Sequence, residues 1–405
     1  MSKLLEIALG LVTGIGGFLE AGSLATSAQA GAAFGFQLVW AIALGTICIA
    51  FLVEMAGRLS AVSKHTLPDA MRERFGVRFF MVLLVAVALV SFLVLASEIG
   101  GVALALQLAT GIRFQWWAPA VAFAVWLLLW AHNFSLVEKG ASLLGLVTLV
   151  FAVAAVKLHT PLHEVVANLL PSMPHQQGAK YWFMAVSIVG ASVSPYLFYF
   201  YSAGAVEDHW DEDYLGVNRA VAGLGMGFGG GLAIAVLACA AMVFHTRGIE
   251  IEHYEQIPRI LTEPLGHWGF ILFVASLGIG CFGAALEIAL QIAYLVAQGF
   301  GWNWGENLKP REAARFSLTY TIVIFLAGLV ILTGIDPLKL TIFSMAVTAL
   351  SLPITVVPLL VLMNDPRYVG ENGNHWIANA AVLFISILAC VVAIVAIPLQ
   401  LLGGS

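Results

Sequence analysis

Gly14-Ile-Gly-Gly-Phe-Leu-Glu-Ala-Gly-Ser-Leu-Ala-Thr-Ser-Ala-Gln-Ala-Gly31 and Gly190-Ala-Ser-Val-Ser-Pro-Tyr-Leu-Phe-Tyr-Phe-Tyr-Ser202 each interrupt a long apolar stretch with small, hydroxylated and helix-breaking residues. In the first, glycines and hydroxyls gather around one acid, Glu20. In the second, Pro195 lacks a backbone donor and clashes with the preceding turn, and the small residues before it ease unwinding. Each stretch opens a block of five apolar segments, roughly residues 1–160 and 180–365. Two interrupted segments at matching places in two halves mark an inverted-repeat transporter, in which half-helix ends and freed carbonyls bind ion and substrate. The competing reading is two ordinary kinks that aid packing. The ionisable residue at one break weighs against it.

Composition sets the solvent. Of 405 residues, 61% are hydrophobic and 10% charged, and mean hydropathy is +0.96. Soluble domains carry about a quarter charged residues, so most helix surface here is expected to face lipid. Apolar stretches fall near Leu4–Gly31, Gln37–Leu59, Phe79–Leu106, Trp117–Ala131, Ala141–Leu158, Phe183–Gly204, Val221–Phe244, Gly269–Gly299, Ser317–Leu332, Leu340–Leu362 and Trp376–Leu402. Crossing a core about 30 Å thick takes about 17–25 residues as a helix. Backbone groups in lipid must be satisfied within the segment, so helices are required. The expected fold is an all-α membrane protein of about eleven transmembrane helices, with two inverted five-helix repeats and broken helices one and six. It forms a single domain over residues 1–405, with an extra helix near 376–402. The first segment lacks a clear cleavage pattern, so no signal peptide is expected.

Lysines and arginines orient the chain. With the N-terminus cytoplasmic, twelve of the 18 fall inside and six outside (Arg113, Lys157, Lys180, Arg247, Arg259, Lys339). An odd number of spans then puts the C-terminus outside. The expected location is a prokaryotic inner membrane. The net charge of −5 identifies no partner. No phosphate-binding loop is present, so no ATP-driven pump is indicated; neither an enzyme, a cofactor nor nucleic acid is expected. Oligomeric state is left open. Cys48, Cys239, Cys281 and Cys390 lie far apart in apolar runs and read as small packing residues.

Four spaced motifs resemble the Nramp family of divalent metal transporters. Glu20-Ala-Gly-Ser-Leu-Ala-Thr-Ser-Ala-Gln-Ala-Gly31 is similar to the family's Asp-Pro-Gly-Asn-x-Ala-Thr-Asp-x-Gln-Ala-Gly. Ala-Ser-Glu98-Ile-Gly-Gly resembles Ala-Glu-x-x-Gly, and Gly190-Ala-Ser-Val-Ser-Pro-Tyr196 resembles Gly-Ala-Thr-Val-Met-Pro-His. Leu350-Ser-Leu-Pro-Ile354 resembles Leu-Gln-Leu-Pro-Phe. The resemblance covers nearly the whole chain. It implies a LeuT-like fold and a metal site at Glu20, Ala21, Ser23, Val193, Ser194 and Ser351. The family's aspartate, asparagine, methionine and glutamine are here Glu20, Ser23, Ser194 and Ser351. A thioether selects softer transition metals over hard ions, and a hydroxyl at Ser194 removes that filter. The positions the family uses for protons are likewise changed, to Leu95 and Tyr196.

An acid at mid-membrane is costly and needs a cavity or a partner. Glu20 reads as a cation ligand, or as a neutral acid bonded to unwound backbone. Glu54 lies four residues before Arg58, as an i,i+4 pair does. Glu98 gates water, moves protons or bridges helices. Glu287, one turn from Gln291, is a further ligand or a packing hydrogen bond. Tyr196, Tyr199 and Tyr201 line a pocket or pack.

The leading expectation is a secondary transporter of a hard divalent cation, Mg²⁺ first, by alternating access without protons. Hard ions take oxygen ligands, and Mg²⁺ keeps several waters. The alternatives are a transporter of a small organic solute, such as an amino acid, and a non-transporting signalling module. The lack of a soluble tail weighs against the last.

Overall fold

A computed structural model of the chain describes residues 20–131, 145–172, 177–306 and 308–401. Twelve helices organise it: α1 (Ala21–Phe34), α2 (Val39–Ser63), α3 (Leu67–Thr110), α4 (Phe114–Trp130), α5 (Val150–Lys157), α6 (Gly178–Ser192), α7 (Pro195–Glu207), α8 (Leu215–Val243), α9 (His267–Phe300), α10 (Ala314–Leu332), α11 (Pro337–Leu362) and α12 (Trp376–Leu401). Short helical turns occur in the connections, and no strand occurs among the described residues. The all-α class expected from the sequence is the one observed.

Eight helical stretches among the described residues are long and apolar enough to cross a membrane, with α6 and α7 counted as one. Two shorter apolar helices lie at Phe114–Trp130 and Leu146–Lys157. α1 has only 14 residues, too few for a full span at about 1.5 Å per residue. The residues expected to precede it in the first span, including Gly14–Leu19, lie outside the described residues, as do 141–144 of the fifth. Most observed boundaries fall within a few residues of the expected ones; the exceptions are α3, which starts at Leu67 rather than near Phe79, and α8, which starts at Leu215 rather than near Val221.

Local chemistry explains where helices bend and stop. Gly76, with φ 82° and ψ 164°, interrupts α3 and separates an initial polar turn carrying Asp69, Arg72 and Arg74 from the apolar span. Gly111, with φ 75°, ends α3 and returns its N–H to the Gln107 carbonyl, as a left-handed cap does. Val82, Val85 and Leu89 are exposed at helical spacing on α3. Such a stripe is a liability in water and a requirement in lipid. Trp116, Trp268 and Trp376 are exposed at helix ends, where interfacial anchors belong.

α3 is the axis of the bundle, packed against α9, α11, α10 and α4. α1 is held between α8, α6 and α11. Two of these contacts require glycine. A Cβ on Gly31 would meet the Leu237 carbonyl oxygen at 2.2 Å, and one on Gly190 would meet the Met345 carbonyl oxygen at 1.8 Å. Gly190→Ala therefore forces α6 away from α11. Overpacking of this kind costs about 1–3 kcal/mol, and a lower thermal midpoint of the purified protein is the expected result. An unchanged midpoint would mean that the two helices have slack.

Opposite ends of the bundle are stitched separately. Lys64 Nζ donates to the Trp210 carbonyl, and Arg74 pairs with Asp365 at 3.0 Å. At the other end Lys180 pairs with Glu250 at 2.7 Å, and Arg247 pairs with Glu263. Cys48, Cys239 and Cys281 are buried free thiols, whereas Cys390 is only partly buried.

Candidate cation site

The second interrupted segment is broken where Pro195 predicts. α6 ends at Ser192, Val193 has φ −112° and ψ 50°, Ser194 is extended, and α7 begins at Pro195. Proline suits the first helical position because its missing N–H would be unpaired there in any case. The Ser194 hydroxyl donates back to the Gly190 carbonyl at 3.2 Å. At the first interrupted segment, Glu20 is extended (φ −91°, ψ −179°) and caps the start of α1 without a side-chain bond to the helix. The second break thus lies between two half-helices, and Glu20 stands at the start of α1, so that the negative end of α6 and the positive ends of α1 and α7 are the helix termini at these residues.

Glu20 is 2% exposed, and its Oε2 accepts a hydrogen bond from the Tyr196 hydroxyl at 2.6 Å. That contact ties the start of α1 to the break between α6 and α7. Ser23 and Ser27 follow Glu20 at i+3 and i+7, the spacing of one helix face. Both hydroxyls are buried without a hydrogen-bond partner. Buried polar atoms are normally paired, so one face of α1 presents a carboxylate and two oxygens available for a ligand. Ser27 was not among the residues expected from the sequence, although its helical spacing from Glu20 could have found it.

Glu98 is fully buried, and its Oε2 accepts from the Ala21 backbone N–H at 3.2 Å. The Ala21 carbonyl accepts from the Tyr254 hydroxyl at 3.2 Å. The first residue of α1 is therefore held at both its N–H and its carbonyl, and one lone pair of the Ala21 oxygen is engaged. Glu98 and Glu20 are close enough to repel when both are charged. Cys281 lies beside Glu98. Glu287, on α9, is close enough to act electrostatically on Tyr196.

Other expected residues are less closely joined. The Ser351 hydroxyl donates to the Thr348 carbonyl of its own helix at 2.8 Å. Ser194 also turns onto its own helix, and Val193 offers only its backbone. Tyr199 donates to Met71 Sδ at 3.3 Å, and Tyr201 packs edge-on against Trp210. Those two are packing residues, while Tyr196 belongs to the site. The expected Glu54–Arg58 pair forms, with Nε to Oε1 at 3.0 Å and Nη2 to Oε2 at 2.9 Å.

Two further residues reach the site without a motif to announce them. One is Tyr254, from the connection between α8 and α9. The other is Met345 on α11. A Cβ on Gly22 would stand 2.7 Å from Met345 Sδ and 3.2 Å from Glu20 Oε1, so thioether and carboxylate share the space that Gly22 leaves. Among the described residues no three His, Cys, Asp or Glu side chains cluster as a metal site. Any cation here is held by one or two carboxylates and neutral donors.

A protein-family model described as Natural resistance-associated macrophage protein-like (Nramp) matches residues 10–398. The divalent metal cation transporter MntH of Deinococcus radiodurans is 27% identical over 360 residues, which are 85% of this chain and 78% of that protein. The fold superimposes on a manganese transporter of Eremococcus coleocola with a TM-score of 0.74 at 19% identity, covering 98% of this chain and 86% of the other. A nucleobase-cation-symport-1 family transporter, closed around bromovinylhydantoin, matches with a TM-score of 0.63 at 16% identity, covering 97% and 92%. At such identities the structural likeness speaks for the fold alone.

Proposed function

We propose, for a chain that belongs to the Nramp family, that it is a secondary transporter carrying a divalent cation across the membrane by alternating access. The observation that carries this is Glu20, a buried carboxylate at a half-helix start, sharing its face with two unpaired hydroxyls. The two repeats supply one break each, and Tyr196 joins them. With the N-terminus inside, Glu207 and the start of α8 face the cytoplasm and the α8–α9 connection faces outward. The setting proposed is a prokaryotic inner membrane.

The cation is proposed to be hard, Mg²⁺ before Mn²⁺ or Fe²⁺. Glu20, Ser23, Ser27 and the carbonyl of Val193 are oxygen donors, which hard ions prefer. Proton coupling is not expected. Leu95, where the resemblance puts an aspartate, is fully buried apolar surface on α3, and Tyr196 is spent as a donor to Glu20. Uptake into proteoliposomes tests both statements: Mg²⁺ flux with no accompanying internal acidification is expected. Mn²⁺ flux that ignores Mg²⁺, or that acidifies the lumen, would overturn the corresponding statement.

One observation favours a softer ion. The Met345 thioether beside Glu20 could restore the selectivity that Ser194 removes. Met345→Leu, of similar volume, separates the two. On the hard-ion reading Mg²⁺ flux stays within about twofold, a change of under 1 kcal/mol. Robust wild-type Mn²⁺ flux that falls about tenfold or more in the variant, equal to about 1.4 kcal/mol, would assign Met345 as a ligand.

A further inference from the structure

Beyond the break, one face of α9 is polar where an apolar helix has no need to be. Glu287, Gln291, Tyr294 and Gln298 recur at i, i+4, i+7 and i+11, the repeat of a single helix face. Gln291 is 0% exposed and Gln298 2% exposed. In each, both the amide oxygen and the amide nitrogen lack a hydrogen-bond partner. An unpaired buried amide costs about 1–3 kcal/mol, and leucine has nearly the same size and would not incur that cost. Packing alone therefore gives no reason for either glutamine.

The stripe has two defined ends. At the top, Glu287 lies within electrostatic reach of Tyr196, which donates to Glu20. Towards the bottom, the Tyr294 hydroxyl donates to Glu207 Oε2 at 3.0 Å, and Glu207 Oε1 accepts from the Glu306 backbone N–H at 3.0 Å. Glu207 is the last residue of α7, the half-helix that starts at the break. α7 packs along α9, with the Phe200 and Tyr294 rings 6.1 Å apart. From residue 287 to 298 the helix rises about 16 Å at about 1.5 Å per residue. That is about half of a hydrocarbon core about 30 Å thick. The seam between α7 and α9 thus runs from the candidate site to the end of the bundle assigned to the cytoplasm.

We propose that this seam is the inner half of the cation's path, and that the amide oxygens of Gln291 and Gln298 are the donors a divalent ion meets between Glu20 and Glu207. Neutral amide oxygens suit the task. They replace part of the hydration shell of a hard ion without the full charge that would trap it, since conduction needs sites weak enough to leave. The proposal rests on the cation-transport reading, and its test separates the two.

The experiment uses the full chain with Gln291→Leu and, separately, Gln298→Leu. Three quantities are read: Mg²⁺ and Mn²⁺ flux in proteoliposomes, binding of the same ions to detergent-solubilised protein by calorimetry, and the thermal midpoint. The expected result for Gln291→Leu is flux down about tenfold, binding within about twofold (the tenfold step being about 1.4 kcal/mol of barrier), and a midpoint equal to or above wild type. Gln298→Leu changes in the same direction. Wild-type flux in both variants overturns the track and leaves the transport reading standing. A lowered midpoint in both overturns it too, because the amides would then be structural. If the wild-type protein moves neither ion, the transport reading fails and the track falls with it.

Discussion

Glu20→Gln is expected to lower divalent-cation flux about 100-fold or more while leaving the protein folded. The amide keeps the size of the carboxyl, and its oxygen can still accept from the Tyr196 hydroxyl that lies 2.6 Å from Glu20 in the native protein. What it removes is the formal charge facing Ser23, Ser27 and the broken backbone. A divalent ion entering a site of neutral oxygens forfeits its strongest attraction, and each 1.4 kcal/mol or so forfeited is a further factor of about ten. Burial raises the stakes, because charge interactions are screened far less inside the bundle than in water. Calorimetry on the purified variant should show binding lost together with flux. If Mg²⁺ and Mn²⁺ still bind and cross at wild-type rates in a folded Glu20→Gln protein, the site lies elsewhere.

The largest expected effect on stability belongs to Arg58. Its guanidinium donates to both oxygens of Glu54, to the Asn372 carbonyl at 2.5 Å and to Asn374 Oδ1 at 2.7 Å. The Asn218 amide donates to the Glu54 backbone carbonyl at 2.9 Å. One side chain thus fastens α2 to the segment that leads into α12, and α8 is fastened to the same turn. The paired side chains are only 10% and 13% exposed. Breaking a buried pair costs about 3–5 kcal/mol, because the partner keeps an uncompensated charge. Whole domains are stable by only about 5–15 kcal/mol, so Arg58→Ala should sharply lower the thermal midpoint. Glu54→Met with Arg58→Met, which removes both charges, should recover part of the loss. A midpoint unchanged in Arg58→Ala would show the pair to be decorative.

The architecture was legible because its causes are local. Runs of apolar residues set the spans, Pro195 and its small neighbours set the break between α6 and α7, and the i,i+4 spacing of Glu54 and Arg58 set their pairing. Glu20 stood out as an acid where hydrocarbon was expected. The same logic reached Tyr196 only halfway: the sequence offered it as pocket or packing, and a contact across 176 residues decided which. Tyr254 and Met345 were not legible. Tyr254 lies in a connection with no periodicity to read, and Met345 is one apolar residue in an apolar helix. Both matter through the chain's path in space, which brings α11 and the α8–α9 connection onto the start of α1. The unpaired state of Gln291 and Gln298 was equally hidden, since a sequence names polar groups without naming their partners.

The docking of that connection has a consequence for time rather than affinity. Gln29 of α1 donates to the Ile251 carbonyl at 3.0 Å, Ile257 is fully buried, and Tyr254 is 2% exposed with its hydroxyl on Ala21. A stretch that counts as a loop by sequence is therefore packed onto the first turn of α1, beside Glu20. On the transport reading, an ion using that route would have to wait for these contacts to part, and the loop would then set a dwell time for each cycle. A binder that grips its exposed rim would act as a brake on turnover while leaving the ligands themselves untouched.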